Sequence, residues 1–293
     1  MASPTNIPPF DQILNFRDVA TSINTLSAQH LLKPGLLFRS GLPDQATPSD
    51  QHRLTNSHLL KTIIDLRTDS EHISQTQKQQ AKDIPSSPIK EPHDPSKPLR
   101  IPGVQYHDIS LNGHAYSSAL MKQLSYWNAA KLIGLYVTGY RNQAISILGR
   151  NVMAKRGLIG LAEDSLTHST VEFKQIFDVL ADEASFPVLV HCTQGKDRTG
   201  VTVLLVLLLL GAPLDAVDQD YMLSEKELAS EREEGLKQIN SIGLPDEFGG
   251  CAPGWVEAIS KWIDERYGGV EAYLQGCGVS KEQQQKVIAV LKI

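Results

Sequence analysis

The chain has 293 residues, 41% of them hydrophobic and 21% charged, which is an ordinary globular composition and excludes disorder as the default. Its formal net charge of −5 argues against a protein that wraps nucleic acid, because such proteins concentrate Lys and Arg to replace counterions. Three cysteines occur without a Cys-x-x-Cys pair, so we expect neither a disulfide framework nor a zinc site, and a reducing compartment fits better.

The N-terminal segment lacks the basic start and apolar core of a secretory signal, and we therefore expect a cytoplasmic protein. The most apolar stretch, residues 201–210, is about half the roughly 20 residues that span a bilayer. A buried helix is the better interpretation, and no transmembrane segment is expected.

The first third of the chain contains three short apolar segments with β-branched or aromatic residues, at positions 36–39, 62–66 and 104–109. We predict that they are strands of one sheet. Six prolines between residues 84 and 102 rule out a regular helix or a central strand there. This segment is predicted to be an exposed Pro-rich excursion.

From about residue 113 to 183 the pattern changes to helical spacing. Apolar residues recur every three to four positions, at Leu120, Leu124, Trp127, Leu132, Leu135 and Tyr136. We predict a helical insert, which either forms a lid over a site or adds an ordinary extra core; the lid is favoured.

The last third begins with a short apolar segment at 186–190, which is predicted to be a buried strand, followed by a glycine-containing loop and a buried helix over 199–210. Further helical pieces follow to the C-terminus, broken at glycines and prolines. The sequence thus predicts one α/β domain over residues 1–293, with a central sheet flanked by helices.

The loop after this strand carries the chemistry, in the segment His191-Cys-Thr-Gln-Gly-Lys-Asp-Arg-Thr-Gly200. Cleavage of a phosphate ester needs an ionised nucleophile and lasting positive donors around the non-bridging oxygens. Cys192 can supply the nucleophile, since cysteines at helix N-termini beside cations ionise readily. The planar fork of Arg198 can bind two phosphate oxygens at once.

The remaining loop residues are expected to bind phosphate through the backbone. The N–H groups of Thr193, Gln194, Gly195, Lys196 and Asp197 can turn inward as an anion nest, at the positive end of the following helix. Gly195 permits the tight turn.

Two flanking residues have supporting roles in this interpretation. Thr199 can donate to the thiolate, and His191 can order the loop through backbone carbonyls. The alternative is that Cys192 is an inert buried cysteine at the end of a strand. A Walker nucleotide loop is excluded, because Val190 and Asp197 stand where its glycine and hydroxyl are required.

The segment resembles the signature of the tyrosine phosphatase family, in the HCxxGKDRTG branch that includes a secreted mycobacterial protein-tyrosine/lipid phosphatase and fungal relatives. Other blocks also resemble the family: Asn15-Phe-Arg-Asp-Val-Ala20, Leu37-Phe-Arg-Ser-Gly41, Ile64-Asp-Leu-Arg-Thr-Asp-Ser-Glu71 and Ile263-Asp-Glu-Arg-Tyr-Gly268. The resemblance implies the α/β cysteine-phosphatase fold with an added helical lid.

The resemblance also implies that Lys196 and Asp197 belong to the active-site loop. Bacterial relatives place an acidic residue soon after the strand that ends near Ile109, but this chain has Ser110-Leu-Asn-Gly113 there. Asp197 is therefore the first choice for general acid and Asp108 the second. A purely structural role of Asp197, accepting N–H bonds within the loop, is an open alternative.

Charged residues of the N-terminal blocks, namely Arg17, Asp18, Asp65 and Arg67, are interpreted as buried or half-buried ion pairs beneath the loop rather than as catalytic groups.

The predicted function is a phosphatase that needs neither metal nor cofactor and acts through a phosphocysteine on phosphotyrosine proteins and/or phosphoinositides. Lys196 favours phosphoinositides, because additional phosphates require an additional cation. The alternatives are a non-catalytic phosphate-binding module and a redox-sensing thiol protein. The oligomeric state is not predicted.

Overall fold

The computed structural model describes residues 8–73, 75 and 100–293. Most of the predicted Pro-rich excursion, residues 84–99, therefore lies outside the described residues. Among the residues that the structure describes, no helix combines the length and apolarity that would let it cross a membrane.

The centre of the molecule is a five-stranded sheet, and the prediction that the N-terminal segments share one sheet is confirmed. Its strands lie in the order β1-β2-β5-β3-β4. Their bounds are Arg17–Asp18 (β1), Leu37–Ser40 (β2), Thr62–Asp65 (β3), Gln105–Asp108 (β4) and Val188–His191 (β5). All neighbouring pairs are parallel except β1 with β2. Two-residue β1 was not predicted, since it is too short to show a pattern.

The parallel register gathers polar residues at one edge of the sheet. His191 pairs with Ser40 on one side and with Asp65 on the other, and Asp65 pairs in turn with Asp108. All four residues end their strands. Because ligands of open parallel sheets bind beyond the carboxyl ends of the strands, this edge is the expected position of a site.

Helices cover both faces of the sheet. Their bounds are α1 Val19–Ser27, α2 Pro48–His52, α3 His114–Met121, α4 Tyr126–Val137, α5 Arg141–Leu148, α6 Ala154–His168, α7 Thr170–Leu180, α8 Asp197–Leu210, α9 Leu214–Glu227, α10 Arg232–Ser241, α11 Trp255–Tyr267, α12 Val270–Gly276 and α13 Lys281–Leu291. Helix α6 is interrupted at Gly157, whose φ of 64° is not helical. The predicted helical character of residues 114–180 and of the C-terminal third is present.

The main core surrounds helix α8, which is apolar on every side. Eleven of its 14 residues are buried, and its leucines and valines pack with β5 and with the C-terminal helices. A helix that is hydrophobic all round has no solvent face and is held in place by its surroundings. The N-terminus of α8 is therefore firmly held at the edge of the sheet where β5 ends.

Candidate active site

The predicted order of strand, loop and helix is present around Cys192. Strand β5 ends at His191, the loop follows, and α8 begins at Asp197, two residues earlier than predicted. Cys192 is buried, with 3% of its surface exposed. The thiol therefore lies where the first free N–H groups of α8 supply positive potential.

Gly195 is required by the shape of this loop. Its φ is +67°, and a Cβ atom there would lie 2.1 Å from the carbonyl oxygen of Ser40. The close approach joins the loop to the end of strand β2, and no side chain larger than hydrogen fits.

The carbonyl groups of the loop are held from the N-terminal part of the chain. Asn15 Nδ2 donates to the carbonyls of Gln194 and Gly195, at 3.0 and 3.1 Å, and Arg39 Nη2 donates to the carbonyl of Gly195 at 2.8 Å. In a trans peptide the N–H group points opposite to the carbonyl. The amides of Gly195 and Lys196 therefore face the other way, as a phosphate nest requires.

Two buried arginines beneath the loop share one carboxylate. Asp220 of α9 accepts hydrogen bonds from Arg17 Nε and Arg39 Nη1, each at 2.8 Å. Burial would raise the pKa of Asp220, but the charges of both arginines outweigh it and lower the pKa to about 2. Burial, with the charge of Arg17, lowers the pKa of Arg39 to about 10.

A second group of charges lies under strand β3. Arg67 bonds to Asp65 and Asp44, and the ion-pair interpretation of Asp65 and Arg67 agrees with these contacts. Arg17 pairs with Asp220 instead of a neighbour in sequence. Asp18 differs from the expectation, because its carboxylate accepts N–H bonds as the N-cap of α1.

His191 connects this group to the loop. Its Nδ1 lies 3.2 Å from the carbonyl oxygen of Cys192, and its Nε2 lies 3.4 Å from Asp65 Oδ2. Complete burial lowers the pKa of the imidazole despite the nearby carboxylate. These contacts join the carbonyl of Cys192 to the charges under β3, and the ordering role of His191 stays a prediction.

Arg198 is fixed by Glu71, a residue of the helical segment after β3. Nη1 and Nη2 each lie 2.6 Å from one carboxylate oxygen of Glu71, and Nη1 also donates to the carbonyl of Leu66 at 3.1 Å. Burial opposes both charges, but the hydrogen bonds between them prevail: the pKa of Glu71 falls to about 2, and that of Arg198 rises.

This pairing leaves one edge of the guanidinium open. Glu71 occupies the end formed by the two terminal nitrogens, and Nη2 also has a long contact of 3.5 Å with Thr193 Oγ1, whereas Nε of Arg198 makes no hydrogen bond to any of the described residues. A planar guanidinium can bind a second bidentate partner through Nε and Nη2. The arrangement therefore orients Arg198 before any anion binds.

Three further loop residues have distinct surroundings. Thr193 is exposed, and its hydroxyl donates to Glu71 at 2.7 Å. Gln194 lies beside Gly235 of α10, which borders the loop. Thr199 Oγ1 is buried, and no described residue forms a hydrogen bond with it. That hydroxyl remains available as a donor.

Lys196 does not reach into open solvent. Its ammonium group is fully buried and donates to the carbonyls of Phe248 and Gly250, at 3.0 and 2.8 Å. It lies 3.8 Å from the carboxylate of Asp197. The lysine therefore ties the loop to the segment before α11, and contact with a second phosphate would require it to leave these carbonyls.

The two candidates for the general acid occupy different places. Asp197 lies in the first turn of α8, directly before Arg198, and half of its side chain is exposed. Asp108 ends edge strand β4, two strands away from β5, and forms an ion pair with Arg100. Of the two, only Asp197 adjoins the loop that holds Cys192.

Several functional contacts were not identified from the sequence. Glu71, Asn15, Arg39 and Asp220 had no predicted role at the site. A signal existed for Glu71, which follows a strand next to β5 at the carboxyl edge, where a carboxylate can meet the loop arginine. No local pattern marks Asp220, since it lies 203 positions from Arg17.

Comparisons with known proteins bear on the family of the chain. Residues 8–292 match the model of the tyrosine phosphatase family. Similar proteins are a tyrosine-protein phosphatase of Nostoc commune, 31% identical over 50% of this chain and 55% of that protein, and the triple specificity protein phosphatase PtpB of Mycobacterium tuberculosis, 32% identical over 37% of this chain and 45% of that protein.

A putative tyrosine-protein phosphatase of Cupriavidus necator is 24% identical over 91% of this chain and 82% of that protein. The chain spans about half the length of the first two relatives. The mixed α/β architecture with its central sheet confirms the expected cysteine-phosphatase fold. Because the family model covers nearly all of its residues, the chain belongs to the tyrosine phosphatase family.

Proposed function

We propose that the chain hydrolyses phosphate monoesters with Cys192 as nucleophile and a phosphocysteine as intermediate. The observation that carries this proposal is the pre-oriented Arg198, held by Glu71 beside a buried cysteine at the N-terminus of α8. Such a pocket offers a nucleophile and fixed positive donors at one place, which phosphoryl transfer requires.

The substrate phosphate binds in the loop, with two oxygens on Nε and Nη2 of Arg198 and the others on the inward backbone N–H groups. The Cys192 thiolate then attacks phosphorus. An S–P bond forms while the bond to the ester oxygen breaks, and Asp197 gives its proton to the departing oxygen. The buried hydroxyl of Thr199 donates to the thiolate and stabilises it.

The second step regenerates the enzyme. Water attacks the phosphocysteine, the S–P bond breaks and the electron pair returns to the sulfur of Cys192. Asp197 takes the proton lost by the water. The products are an alcohol or phenol and inorganic phosphate, and no metal or cofactor enters the balance.

Replacement of Cys192 by Ser tests the proposal. We expect Cys192→Ser to abolish turnover of para-nitrophenyl phosphate while vanadate still binds, because Arg198 and the nest are intact. Cys277→Ser, the same change elsewhere, should retain full activity. Turnover by Cys192→Ser above a tenth of the unmodified protein's rate would contradict the proposal.

The function of Arg198 depends on its fork and not only on its charge. We expect Arg198→Lys to lose most activity, because an ammonium group can replace neither the bidentate contact with phosphate nor the pairing with Glu71. Steady-state kinetics give the measurement. Near-normal kcat/KM would show that Arg198 does not clamp the phosphoryl group.

The role of Asp197 is tested by the leaving group. If Asp197 is the general acid, Asp197→Asn slows alkyl phosphates far more than aryl phosphates, whose leaving groups need less protonation. Equal losses on both would indicate a structural role in the loop, and Asp108→Asn is then the next variant to assay.

For the substrate, we propose phosphotyrosine proteins, phosphoinositides or both. The relatives are named a tyrosine-protein phosphatase and a triple specificity protein phosphatase, which supports a phosphorylated substrate, whereas the phosphoinositide part of the proposal rests on Lys196. Rates on a panel of phosphopeptides and phosphoinositides distinguish the classes. A preference for phosphoserine peptides over both would contradict the proposal.

The substitution Lys196→Ala distinguishes two possible roles of this lysine, namely binding a second phosphate of the substrate and holding the loop in place. If the lysine meets a second phosphate, Lys196→Ala lowers kcat/KM more for multiply phosphorylated substrates than for para-nitrophenyl phosphate, by roughly 1–3 kcal/mol of charge-assisted hydrogen bonding. If it only holds the carbonyls of Phe248 and Gly250, both substrate classes lose activity in parallel.

Neither alternative function has a specific observation in its favour. An intact Cys192 and Arg198 argue against a non-catalytic phosphate reader. A redox sensor that forms an internal disulfide needs a second thiol, but burial raises the pKa of both Cys251 and Cys277 to about 11, so neither is a reactive thiolate near neutral pH.

A further inference from the structure

Helix α4 presents an apolar stripe to solvent. Tyr126, Ala130, Ile133 and Val137 follow the spacing of one helical face, and all four are exposed. The exposed fractions are 98% for Tyr126, 54% for Ile133 and 78% for Val137. Trp127 flanks the stripe and is 78% exposed. In soluble proteins such a stripe normally faces a core, but none of the described residues buries this one.

Among the described residues, α4 packs mainly against its neighbour in the chain, α5. Helices α4 and α5 form an antiparallel hairpin, and α4 contains no buried residue at all. Half-buried Leu132 and Leu135 belong to the inner side, and Ala144 and Ile147 of α5 are buried. The hairpin is thus attached through α5, and no residue that the structure describes buries the outer face of α4.

The charge of this region differs from that of the whole chain. Residues 109–162 contain six of the 28 Lys and Arg and none of the 33 Asp and Glu, although the net charge is −5. Arg156 pairs with Glu163 and Asp164 just beyond this range. Within the part of the chain that the structure describes, Lys122, Lys131 and Arg141 form no ion pair.

We propose that the outer face of the α4–α5 hairpin (residues 126–148) docks on an anionic lipid bilayer. Aromatic and aliphatic side chains on one helical face, flanked by lysine and arginine, are the features of helices that lie in the membrane interface. The apolar stripe enters the headgroup region, where Trp127 and Tyr126 suit its mixed polarity. Lys131 and Arg141 meet the negative lipids.

Charge complementarity favours a bilayer over a second copy of the chain. The hairpin's own residues, 126–148, include Lys131 and Arg141 but no Asp or Glu, so two hairpins facing each other would bring like charges together, and their repulsion opposes association. An anionic bilayer compensates the same charges and covers the same stripe. The proposal does not depend on the reaction at Cys192, because the test measures binding.

Sedimentation with vesicles tests the docking surface. We expect the protein to bind vesicles of equal parts phosphatidylcholine and phosphatidylserine more tightly than vesicles of phosphatidylcholine alone. The substitution Lys131→Glu should weaken binding about fivefold or more, since one basic residue near such a surface contributes about 1 kcal/mol. The double variant Trp127→Ala with Val137→Ala should weaken it at least as much.

Lys261→Glu is the matched control for charge. Lys261 is exposed on α11, away from the hairpin in the chain, and its reversal changes the net charge by the same amount. Because every altered side chain is exposed, the variants should keep the far-ultraviolet spectrum of the unmodified protein.

Four results would overturn the proposal. They are no binding to anionic vesicles, equal binding to neutral ones, equal losses for Lys261→Glu and Lys131→Glu, or unchanged binding of the double variant. A dimer in the ultracentrifuge that the double variant abolishes would instead assign this face to a second copy.

Discussion

The phosphate loop and the α4–α5 hairpin use charged and apolar side chains in opposite ways. Around the loop, charged groups are buried and paired: Arg17, Arg39 and Asp220 are each about 1% exposed. On the hairpin, Trp127 and Val137 are each 78% exposed, and the exposed Lys131 and Arg141 form no ion pair with any described residue. Buried charges fix a geometry, whereas exposed apolar groups leave a surface ready for a partner.

The same comparison predicts in which region a substitution changes the stability of the protein. Buried ion pairs stabilise the loop only while every member is present, because removing one partner leaves an uncompensated charge in the interior and lowers the free energy of unfolding. Replacing an exposed side chain of the hairpin should change the free energy of unfolding little, since water surrounds that side chain in both the folded and the unfolded state. Changes of equal chemistry should therefore have unequal effects in the two regions.

The largest effect is expected from Asp220→Ala. This change leaves the buried guanidiniums of Arg17 and Arg39 side by side without their counter-ion, and we expect a loss of about 3–5 kcal/mol in the free energy of unfolding. Urea denaturation followed by circular dichroism gives the value. Asp215→Ala, on an exposed turn of the same helix α9, is the control. Equal losses of unfolding free energy in the two variants would show that the buried Asp220 stabilises the fold no more than an exposed carboxylate does.

A smaller effect is expected from Gly195→Ala, which places a methyl group 2.1 Å from Ser40 and strains a positive φ. The strain costs about 1–3 kcal/mol and displaces the loop, so phosphatase activity should fall far more than stability. Gly134→Ala in the hairpin meets nothing within 4 Å and should stabilise its helix by about 0.5–1 kcal/mol. An active Gly195→Ala variant would show that the loop tolerates displacement.

The smallest effect is expected from moderate acid. Asp220 and Glu71 have folded pKa values of about 2, below the value of about 4 for carboxyl groups in unfolded chains. Their contribution to stability is therefore complete above pH 4 or so and is lost as the pH falls toward 2. Urea unfolding from pH 6 to pH 3 should show this decline, and Asp220→Asn should reduce its slope. An unchanged slope would mean that Asp220 does not cause it.

Local pattern was sufficient for the parts of the fold that are set by neighbours in sequence. Continuous apolar residues predicted β3, β5 and α8, and the loop motif led to the prediction that Cys192 is the nucleophile and that Arg198 binds the phosphate. The partners of the loop could not be predicted in this way, since Glu71 lies 127 positions from Arg198. Only the parallel pairing of β3 with β5 brings them together.

Periodicity has a second limit, which the hairpin illustrates. Spacing at Trp127, Leu132 and Leu135 correctly predicted a helix, but it could not tell which side is covered. In the structure Trp127 is exposed while the two leucines are half-buried. A helix needs a neighbour before its faces are defined, and that neighbour, α5, is fixed by tertiary packing. The buried position of the Lys196 ammonium has the same origin, because its acceptors belong to a distant segment.

Because α8 is buried on all sides and α4 is not, the backbone amides of the two helices should exchange their hydrogens with water by different routes. Amide hydrogens in the middle of α8 can meet water only when the whole core separates, so they exchange at the rate set by global unfolding. Amides of α4, which has no buried side chain, exchange through brief local opening. The helix whose positive end faces Cys192 is therefore among the last parts of the molecule to open.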